Sequence, residues 1–256
     1  MDDPVLVTGS EGRVGRAVLD RLADDYEWRL FDREPPAGDP PGEFVLGDVT
    51  DAEAVRDAVE GCGAVVHLAG DPRPSAPWDS VSRNNVDGTQ TVLAAAVEAG
   101  VEKVAFASSN HAVGAYETDD RLPKLYRPEG PTPLDGSEAP RPGNLYGVSK
   151  VAGETLGRYY HDAHDLSFVA VRIGNLTEDH PPVDYERGQA MWLSGRDCAH
   201  LFERCIEADY GYEVVYGVSD NERNYYSIER AREALGYDPV DDSAEWDGAE
   251  HVGADG

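Results

Sequence analysis

The sequence predicts an α/β fold, with a doubly wound parallel sheet followed by a small C-terminal region. Short apolar runs alternate with amphipathic segments through most of the chain, an order typical of parallel strands joined by helices. A glycine-rich turn follows the first run, and polar residues follow several later ones. No linker or internal repeat divides the chain, so we expect a main domain at 1–174 and an interleaved region at 175–256 that is not an independent domain.

The individual elements follow from periodicity and composition. Six apolar runs have the length of strands buried on both faces: Val5–Thr8, Trp28–Phe31, Phe44–Leu46, Ala64–Leu68, Lys103–Ala107 and Phe168–Ile173. Helical spacing predicts four helices among them: Val14–Ala23, Ala52–Val59, Asn85–Ala99 and Leu145–Tyr160. After residue 174 the pattern predicts a helix near Arg196–Ala208, a strand at Tyr212–Tyr216 and a helix at Ile228–Leu235. The proline-rich stretch Glu117–Pro142 has no periodicity and is expected to be a long loop.

The charge balance excludes two classes of partner. Fifty acidic residues face 22 basic ones, which gives a net charge of −28. A surface this acidic repels polyanions, so we expect neither nucleic acid nor an anionic membrane as a partner. The acids are spread from Asp2 to Asp255 rather than collected in a tail. This distribution predicts a cytoplasmic protein adapted to high salt, where screening reduces self-repulsion.

Other features indicate no membrane anchor, disulfide framework or metal. The N-terminus has no basic segment followed by a long apolar run, so no signal peptide is expected, and no stretch approaches the roughly 20 apolar residues of a membrane span. Cys62, Cys198 and Cys205 lack disulfide or zinc spacing and are expected to be free thiols, the last two packing on one helix face. His161 and His164 have no evident third ligand, so no metal is expected.

A cofactor site is predicted directly after the first strand, where the sequence reads Gly9-Ser-Glu-Gly12-Arg-Val-Gly15. In Rossmann-type folds such a turn lets the backbone approach a pyrophosphate at a helix N-terminus, and the third glycine lets the helix pack closely on the sheet. Asp32 ends the second strand, where a carboxylate bonds the adenosine ribose and repels the 2′-phosphate of NADP. The pattern therefore favours NAD, although the neighbouring Arg33 could reach a 2′-phosphate.

Residues after the third and fourth strands extend this expected site. Asp48 follows the third strand and could accept a hydrogen bond from the adenine amino group. His67-Leu-Ala-Gly70 ends the fourth strand with small residues, as required where a backbone runs beside a dinucleotide. Each of these features, taken alone, would also fit an ordinary loop with no binding role.

Candidate catalytic residues lie four apart on the longest predicted helix, at Tyr146 and Lys150. A tyrosine has an unperturbed pKa of about 10 and is a poor base near neutrality. A neighbouring ammonium and the positive nicotinamide ring of NAD⁺ lower this pKa, and the lysine could also bond the nicotinamide ribose. A surface pair has the same spacing, but Lys150 is one of three lysines in a chain that uses arginine for most basic positions.

The polar run Ser108-Ser109-Asn110-His111 follows the fifth strand. In doubly wound sheets this carboxyl edge is where ligands bind. Ser109 could hold a substrate hydroxyl against Tyr146, and Asn110 and His111 could bind further sugar hydroxyls. In isolation the same run would also fit a simple turn.

These motifs, in this order and over nearly the whole chain, resemble the extended short-chain dehydrogenases. The resemblance rests on the glycine-rich turn, His-Leu-Ala-Gly, Asn85-Val-Asp-Gly-Thr89, Ala107-Ser-Ser and the Tyr-x-x-x-Lys pair. It implies a catalytic triad of Ser109, Tyr146 and Lys150. It also implies the following NAD-binding set: Gly9, Glu11, Gly12, Arg13, Val14, Asp32, Arg33, Asp48, Val49, Leu68, Ala69, Gly70, Asn85, Tyr146, Lys150 and Ile173.

Within that family the chain is similar to uronate dehydrogenases, through Leu-Tyr-Gly-Val-Ser-Lys, Val171-Arg-Ile-Gly174 and Trp192-Leu-Ser194. This similarity places Asn175 and Arg187 among the substrate-binding residues of the C-terminal region. The chain departs from that branch at Asp71-Pro-Arg-Pro74 and in its longer loop before Tyr146. In these departures it resembles the NAD-dependent glucose-6-phosphate dehydrogenases of salt-loving archaea.

The expected reaction is oxidation of the anomeric hydroxyl of glucose 6-phosphate to the lactone. Substrate binding is expected at Arg73, Ser109, Asn110, His111, Asn175 and Arg187. The candidates for holding the anion, as a set, are Arg73, Lys124, Arg127 and Arg187, although each of them alone would also fit an ordinary surface or salt-bridged residue. The alternatives are a uronate or other aldose dehydrogenase, a nucleotide-sugar epimerase, and a non-catalytic dinucleotide-binding regulator. The short C-terminal region disfavours the epimerase, and the retained Tyr146 and Lys150 disfavour the regulator. The apolar face of Val86–Val97 predicts a homo-oligomer, although burial within one subunit would explain it equally.

Overall fold

The computed structural model describes residues 3–118, 134–177, 180–182 and 186–246. Its strands are β1 (Val5–Thr8), β2 (Trp28–Asp32), β3 (Glu43–Leu46), β4 (Ala64–His67), β5 (Lys103–Ser109), β6 (Ser167–Ile173), β7 (Asn175–Thr177), β8 (Trp192–Ser194) and β9 (Tyr212–Gly217). Seven of them form one parallel sheet in the order β3-β2-β1-β4-β5-β6-β9, and β7 pairs with β8 in a small second sheet.

Helices cover both faces of the large sheet. They are α1 (Arg13–Leu22), α2 (Ala52–Val59), α3 (Trp78–Val81), α4 (Gly88–Ala99), α5 (Leu145–His164), α6 (Glu186–Ala190), α7 (Gly195–Glu207) and α8 (Glu229–Leu235). A π-helical segment, Ser82–Asp87, joins α3 to α4, and a 3₁₀ segment, Asn110–Thr118, follows β5. Among the described residues no helix has the length and apolar character to span a bilayer.

Two apolar cores lie on opposite faces of the sheet because successive strand side chains point in opposite directions. Val5 and Val7 pack in the core under α1 and α7, whereas Leu6 packs in the core under α2, α4 and α5. Cys198 and Cys205 are buried in the first core and Cys62 in the second, and all three are free thiols as expected.

The predicted fold class is confirmed, with four corrections to its elements. β3 is an edge strand, and its Leu46 is 63% exposed, so it is not buried on both faces. The predicted helix Asn85–Ala99 is divided between the π-helical segment and α4. α5 continues to His164, where Asp165 caps it in the left-handed conformation. β9, from the region after residue 174, completes the large sheet beside β6.

The strand order reverses at the β1–β4 pair, which fixes the place of the ligand site. From β1 the chain builds outward to β2 and β3, then returns to β4 on the other side. The loops after β1 and β4 therefore diverge and leave a crevice at the carboxyl edge of the sheet. Every sequence motif singled out as polar and strand-terminal lies at this edge.

Helix α5 is held to the sheet by a buried ion pair. Arg172 on β6 donates from Nε and Nη2 to the two carboxylate oxygens of Glu154, each at 2.9 Å, and both residues are at most 4% exposed. Arg172 also donates from Nη1 to Glu138, at 2.5 Å. Burial opposes the charge on Arg172, but the hydrogen bonds and charge of Glu154 outweigh it and raise the pKa of the guanidinium.

We expect Arg172→Met to lower the free energy of unfolding by about 3–5 kcal/mol, because it leaves the buried carboxylate of Glu154 without a cationic partner. The matched control is Arg158→Met, which breaks a pair with Asp162 in which both side chains are 55% exposed, so its effect should stay below about 1 kcal/mol. Urea denaturation at fixed salt measures both. Equal losses for the two variants would contradict the stabilising role of the buried pair.

Candidate active site

The glycine-rich turn between β1 and α1 is shaped by close backbone contacts. Gly9 has φ +76°, and a Cβ there would lie 2.7 Å from the amide nitrogen of Ala69, so the turn after β4 packs directly against it. A Cβ at Gly15 would lie 2.4 Å from the carbonyl oxygen of Ser10. The close approach at Gly15 is therefore to its own turn, not to the sheet as the sequence suggested.

The N-terminus of α1 fits an anionic group. Its N-cap residue is Gly12, which supplies no side-chain cap, and its first turn has no acidic residue, so its first backbone N–H groups are free of side-chain acceptors. Such N–H groups and the helix dipole favour a phosphate. Asp32 lies beside this turn and accepts hydrogen bonds from the backbone nitrogens of Glu11, at 2.9 Å, and Glu34, at 3.2 Å.

A cleft of about 970 Å³ runs across the carboxyl edge of the sheet, at the upper end of the usual size for ligand sites. Most residues expected to bind NAD line it: Gly9, Glu11, Gly12, Arg13, Val14, Asp32, Arg33, Asp48, Val49, Leu68, Ala69, Gly70, Tyr146 and Ile173. Lys150 lines its inner end, of about 140 Å³, together with Tyr146 and Ser109. The residues that the sequence placed at one site are thus brought together.

Asn85 is placed differently from the expectation that it binds the cofactor. Its side chain is 1% exposed and lies behind the wall of the cleft. Asn85 accepts from the backbone nitrogen of Asp71 at 2.6 Å and donates to the carbonyl of Asp71 at 3.1 Å and to Ser149 Oγ at 2.9 Å. It therefore supports the segment after β4, and Gly70 of that segment lines the cleft in its place.

Ser109, Tyr146 and Lys150 converge at the inner end of the cleft. Ser109 Oγ donates to Asn110 Oδ1 and accepts from the backbone nitrogen of His111, each at 3.2 Å, and it lies close enough to Tyr146 to influence the pKa of the phenol. The ammonium of Lys150 donates to the carbonyl oxygen of Ala107 at 2.7 Å and lies 5.5 Å from the centre of the Tyr146 ring. All three residues are at least nine-tenths buried, so their mutual electrostatic effects are weakly screened.

Burial dominates the acid–base properties of this trio. It raises the pKa of Tyr146, the hydrogen bond with Ser109 lowers it, and the charge of Asp71 raises it further. Burial also lowers the pKa of Lys150 to about 8, opposed by Glu154. The lowering of the tyrosine pKa that the sequence suggested therefore needs more positive charge than Lys150 supplies.

One end of the cleft carries the expected substrate residues, opposite the acidic residues expected to bind the adenosine. Its lining includes Arg73, Asn110, His111, Asn175 and Arg187. The acids Glu11, Asp32, Glu34 and Asp48 line the part around the glycine-rich turn and the ends of β2 and β3. Arg13 and Arg33 also line this part, so four acids face two arginines there, whereas the charged residues lining the substrate end are Arg73 and Arg187. Lys124 and Arg127 lie outside the described residues.

Two residues that support the substrate end of the cleft, Met191 and Asp71, were not predicted from the sequence. Met191 lines the cleft, and its sulfur accepts a hydrogen bond from Asn110 Nδ2 at 3.1 Å, which fixes the amide. Asp71 holds Arg73, and this pair adjoins the cleft. The unusual run Asp71-Pro-Arg-Pro74 signalled the second support, whereas a single methionine in sequence carries no such signal.

His67, at the end of β4, is buried between two threonine hydroxyls. Its Nδ1 lies 2.7 Å from Thr8 Oγ1 and its Nε2 lies 3.0 Å from Thr89 Oγ1. Burial and the charge of Lys150 lower its pKa to about 3. The ring is therefore neutral near pH 7 and adds no charge beside Lys150. Within the described part of the chain, no three His, Cys, Asp or Glu side chains are grouped as metal ligands.

Comparison with known proteins places this site in a family. The model of the NAD dependent epimerase/dehydratase family matches residues 5–226. The chain belongs to this family. The resemblance to extended short-chain dehydrogenases, the oxidoreductase class and NAD as the cofactor, all expected from the sequence, are confirmed.

Three members of the family are especially similar. The NAD-dependent glucose-6-phosphate dehydrogenase of Haloferax volcanii is 68% identical over 96% of each chain. The L-arabinose 1-dehydrogenase (NAD(P)(+)) of the same organism is 38% identical over 94% of this chain and 97% of its own. A mutant uronate dehydrogenase of Agrobacterium tumefaciens, solved with NAD, is 34% identical over 94% of this chain and 86% of its own, with a TM-score of 0.80.

The carboxylate of Asp32 is expected to set the preference for NAD⁺ over NADP⁺. In Asp32→Asn the charge that repels a 2′-phosphate is lost, so we expect the ratio of kcat/KM for NAD⁺ to that for NADP⁺ to fall about tenfold or more. Steady-state rates with each coenzyme measure the ratio. If the unmodified protein used both coenzymes with equal kcat/KM, the role assigned to Asp32 would be wrong.

Proposed function

We propose that this chain oxidises the C1 hydroxyl of glucose 6-phosphate to 6-phosphogluconolactone and passes the hydride to NAD⁺. The observation that carries the proposal is the pair of arginines, Arg73 and Arg187, lining the substrate end of the cleft. In a chain with a net charge of −28, cations at this place favour an anionic substrate. The similarity to the Haloferax enzyme, 68% over 96% of both chains, supports the phosphate ester.

The residues of the cleft fit NAD⁺, which when bound accepts the hydride. The uncapped N-terminus of α1 suits the pyrophosphate. Asp32, oriented by the backbone nitrogens of Glu11 and Glu34, suits the adenosine ribose. Asp48 is fixed by Thr50, whose backbone hydrogen bond lowers the pKa of the carboxyl, so it is a charged acceptor on the adenine side.

Tyr146 is proposed as the general base. Ser109 holds the C1 hydroxyl of the sugar beside the phenol oxygen, and the proton passes to Tyr146 while C1 gives up its hydride and the C1–O bond becomes a carbonyl. The products are the lactone, NADH and a proton. Because burial raises the pKa of Tyr146, its ionised form would depend on Lys150 and on the positive charge that NAD⁺ supplies when bound.

Tyr146→Phe tests the base. The variant keeps the ring that packs against His111, with centroids 5.6 Å apart, but removes the proton acceptor, so kcat should fall about 10²–10⁴-fold while NADH affinity is retained. Tyr160→Phe is the matched control on the same helix, where the hydroxyl only accepts from Gln90 at 3.3 Å. A fully active Tyr146→Phe enzyme would refute the assignment.

Parallel assays in molar salt test the substrate. Glucose 6-phosphate, glucose and glucuronate are each offered with NAD⁺, and NADH is followed by absorbance. We expect kcat/KM to be highest for glucose 6-phosphate, by about tenfold or more over glucose, because the anion gains charge-assisted hydrogen bonds. Turnover of glucuronate without turnover of glucose 6-phosphate would replace the proposal with a uronate dehydrogenase, which the similarity to the Agrobacterium enzyme favours as the second candidate.

A further inference from the structure

Asp71 lies directly behind the substrate end of the cleft and is 7% exposed. Its Oδ1 accepts from the backbone nitrogen of Arg73, at 3.1 Å, and from Nε of Arg73, at 2.9 Å. Its Oδ2 accepts from Nη2 of Arg73, at 2.6 Å, and from Ser80 Oγ, at 2.5 Å. Asp71 therefore pairs with the Nε–Nη2 edge of the Arg73 guanidinium and fixes its orientation, although the Arg73 side chain is 66% exposed.

This pairing leaves the outer edge of the Arg73 guanidinium, between Nη1 and Nη2, available to donate hydrogen bonds to a ligand. A guanidinium has five N–H donors, and the side-chain contacts with Asp71 use one at Nε and one at Nη2. No acceptor for the others is found in the described ranges. Arg73 lines the cleft, and the edge between its Nη1 and Nη2 retains donors on both nitrogens, the arrangement that matches two oxygens of a phosphate or carboxylate.

A continuous chain of hydrogen bonds joins this guanidinium to the helix of the base. From Asp71 the chain passes through the backbone to Asn85, from Asn85 Nδ2 to Ser149 Oγ at 2.9 Å, and from Ser149 Oγ to the carbonyl oxygen of Tyr146 at 2.7 Å. Asp71, Asn85 and Ser149 are all buried. The separation of Arg73 from Tyr146 is therefore set by the interior of the protein.

The electrostatic effect of Asp71 on the base is unfavourable for the reaction. Its negative charge raises the pKa of Tyr146 and so opposes the phenolate. A buried carboxylate in this place is thus a cost to proton abstraction unless it serves another group. The four hydrogen bonds that it accepts identify that group as Arg73, with Ser80 as a second support.

We propose that Asp71 is a positioning residue, which presents the outer edge of Arg73 to the anion at C6 of the sugar, at a fixed distance from Tyr146. The inference rests on the proposed function and adds to it the means by which the anion is recognised. A sugar whose anion and anomeric hydroxyl match this spacing is bound productively. Asp71 acts through Arg73, without touching the substrate.

Asp71→Asn and Arg73→Gln, singly and together, test the proposal in molar salt. Each single variant should raise KM for glucose 6-phosphate about tenfold or more, the effect of losing charge-assisted hydrogen bonds. In Asp71→Asn kcat should be retained or raised, because the charge that opposes the phenolate is gone, whereas a general structural defect would lower it. Arg56→Gln is the matched control for Arg73→Gln, since the Arg56 side chain is similarly exposed, at 57% against 66%, and pairs with Glu98 outside the cleft.

The double variant decides whether Asp71 acts through Arg73. Once Arg73 is absent, Asp71→Asn should change KM less than about twofold, because interacting residues are non-additive. Multiplied KM effects would overturn the proposal. Arg73→Lys provides a test that does not disturb a buried residue: lysine keeps the charge but cannot pair side-on with Asp71 while donating outward, so KM should stay raised. A wild-type KM for Arg73→Lys would also overturn it.

Assays of the unmodified protein show independently whether the proposed function is wrong. If it oxidised glucuronate but not glucose 6-phosphate, the same variants would be measured with glucuronate, whose C6 carboxylate fits the same edge of Arg73. A raised KM with that substrate would retain the role of Asp71 and reject the phosphate. Turnover of neutral sugars alone would overturn both.

Discussion

Helix α5 packs in close contact with strands β5 and β6, and this contact positions the side chains of the site. A Cβ at Gly153 would lie 2.4 Å from the ring of Phe106, and one at Gly157 would lie 2.2 Å from the ring of Phe168. Between these two glycines Glu154 reaches into the sheet, where it accepts from Arg172 and from Ser108 Oγ, at 2.6 Å. Helix and sheet are thereby locked in one register, which brings Tyr146 and Lys150 against the end of β5.

Salt screens the charges on the surface of this protein much more than the charges in its interior. Exposed acids dominate the net charge of −28, and salt screens them over about 10 Å or less. Lys150, Glu154 and Arg172 are buried, so salt weakens their interactions far less. An enzyme with so acidic a surface can therefore keep a cationic centre, provided that the cations are enclosed or, like Arg73, held by a specific carboxylate.

Reaction chemistry and substrate choice are assigned to different parts of the fold. α5 and β5 carry the groups proposed to handle the C1 hydroxyl, and these groups are common to the family resemblance. The segment after β4 and the short helix α6 carry Arg73 and Arg187. Under the proposed assignment, a change in those two segments is expected to alter which sugar is accepted and to leave the hydride transfer intact. Asn85 joins the two parts, because it bonds both Asp71 and Ser149.

The strand segments, the glycine-rich turn, Asp32 at the end of β2 and the pair Tyr146–Lys150 were predictable from the sequence alone, because strand periodicity and spacing within one helix are local properties of the chain. β1 and α2 begin and end at the predicted residues. Four features became evident only in the folded protein: the position of β9 beside β6, the exposure of β3, the burial of Asn85 and the pairing of Asp71 with Arg73. These depend on which surfaces meet after folding, and contacts between distant segments, or the direction in which a side chain turns, leave no periodic trace in a single sequence.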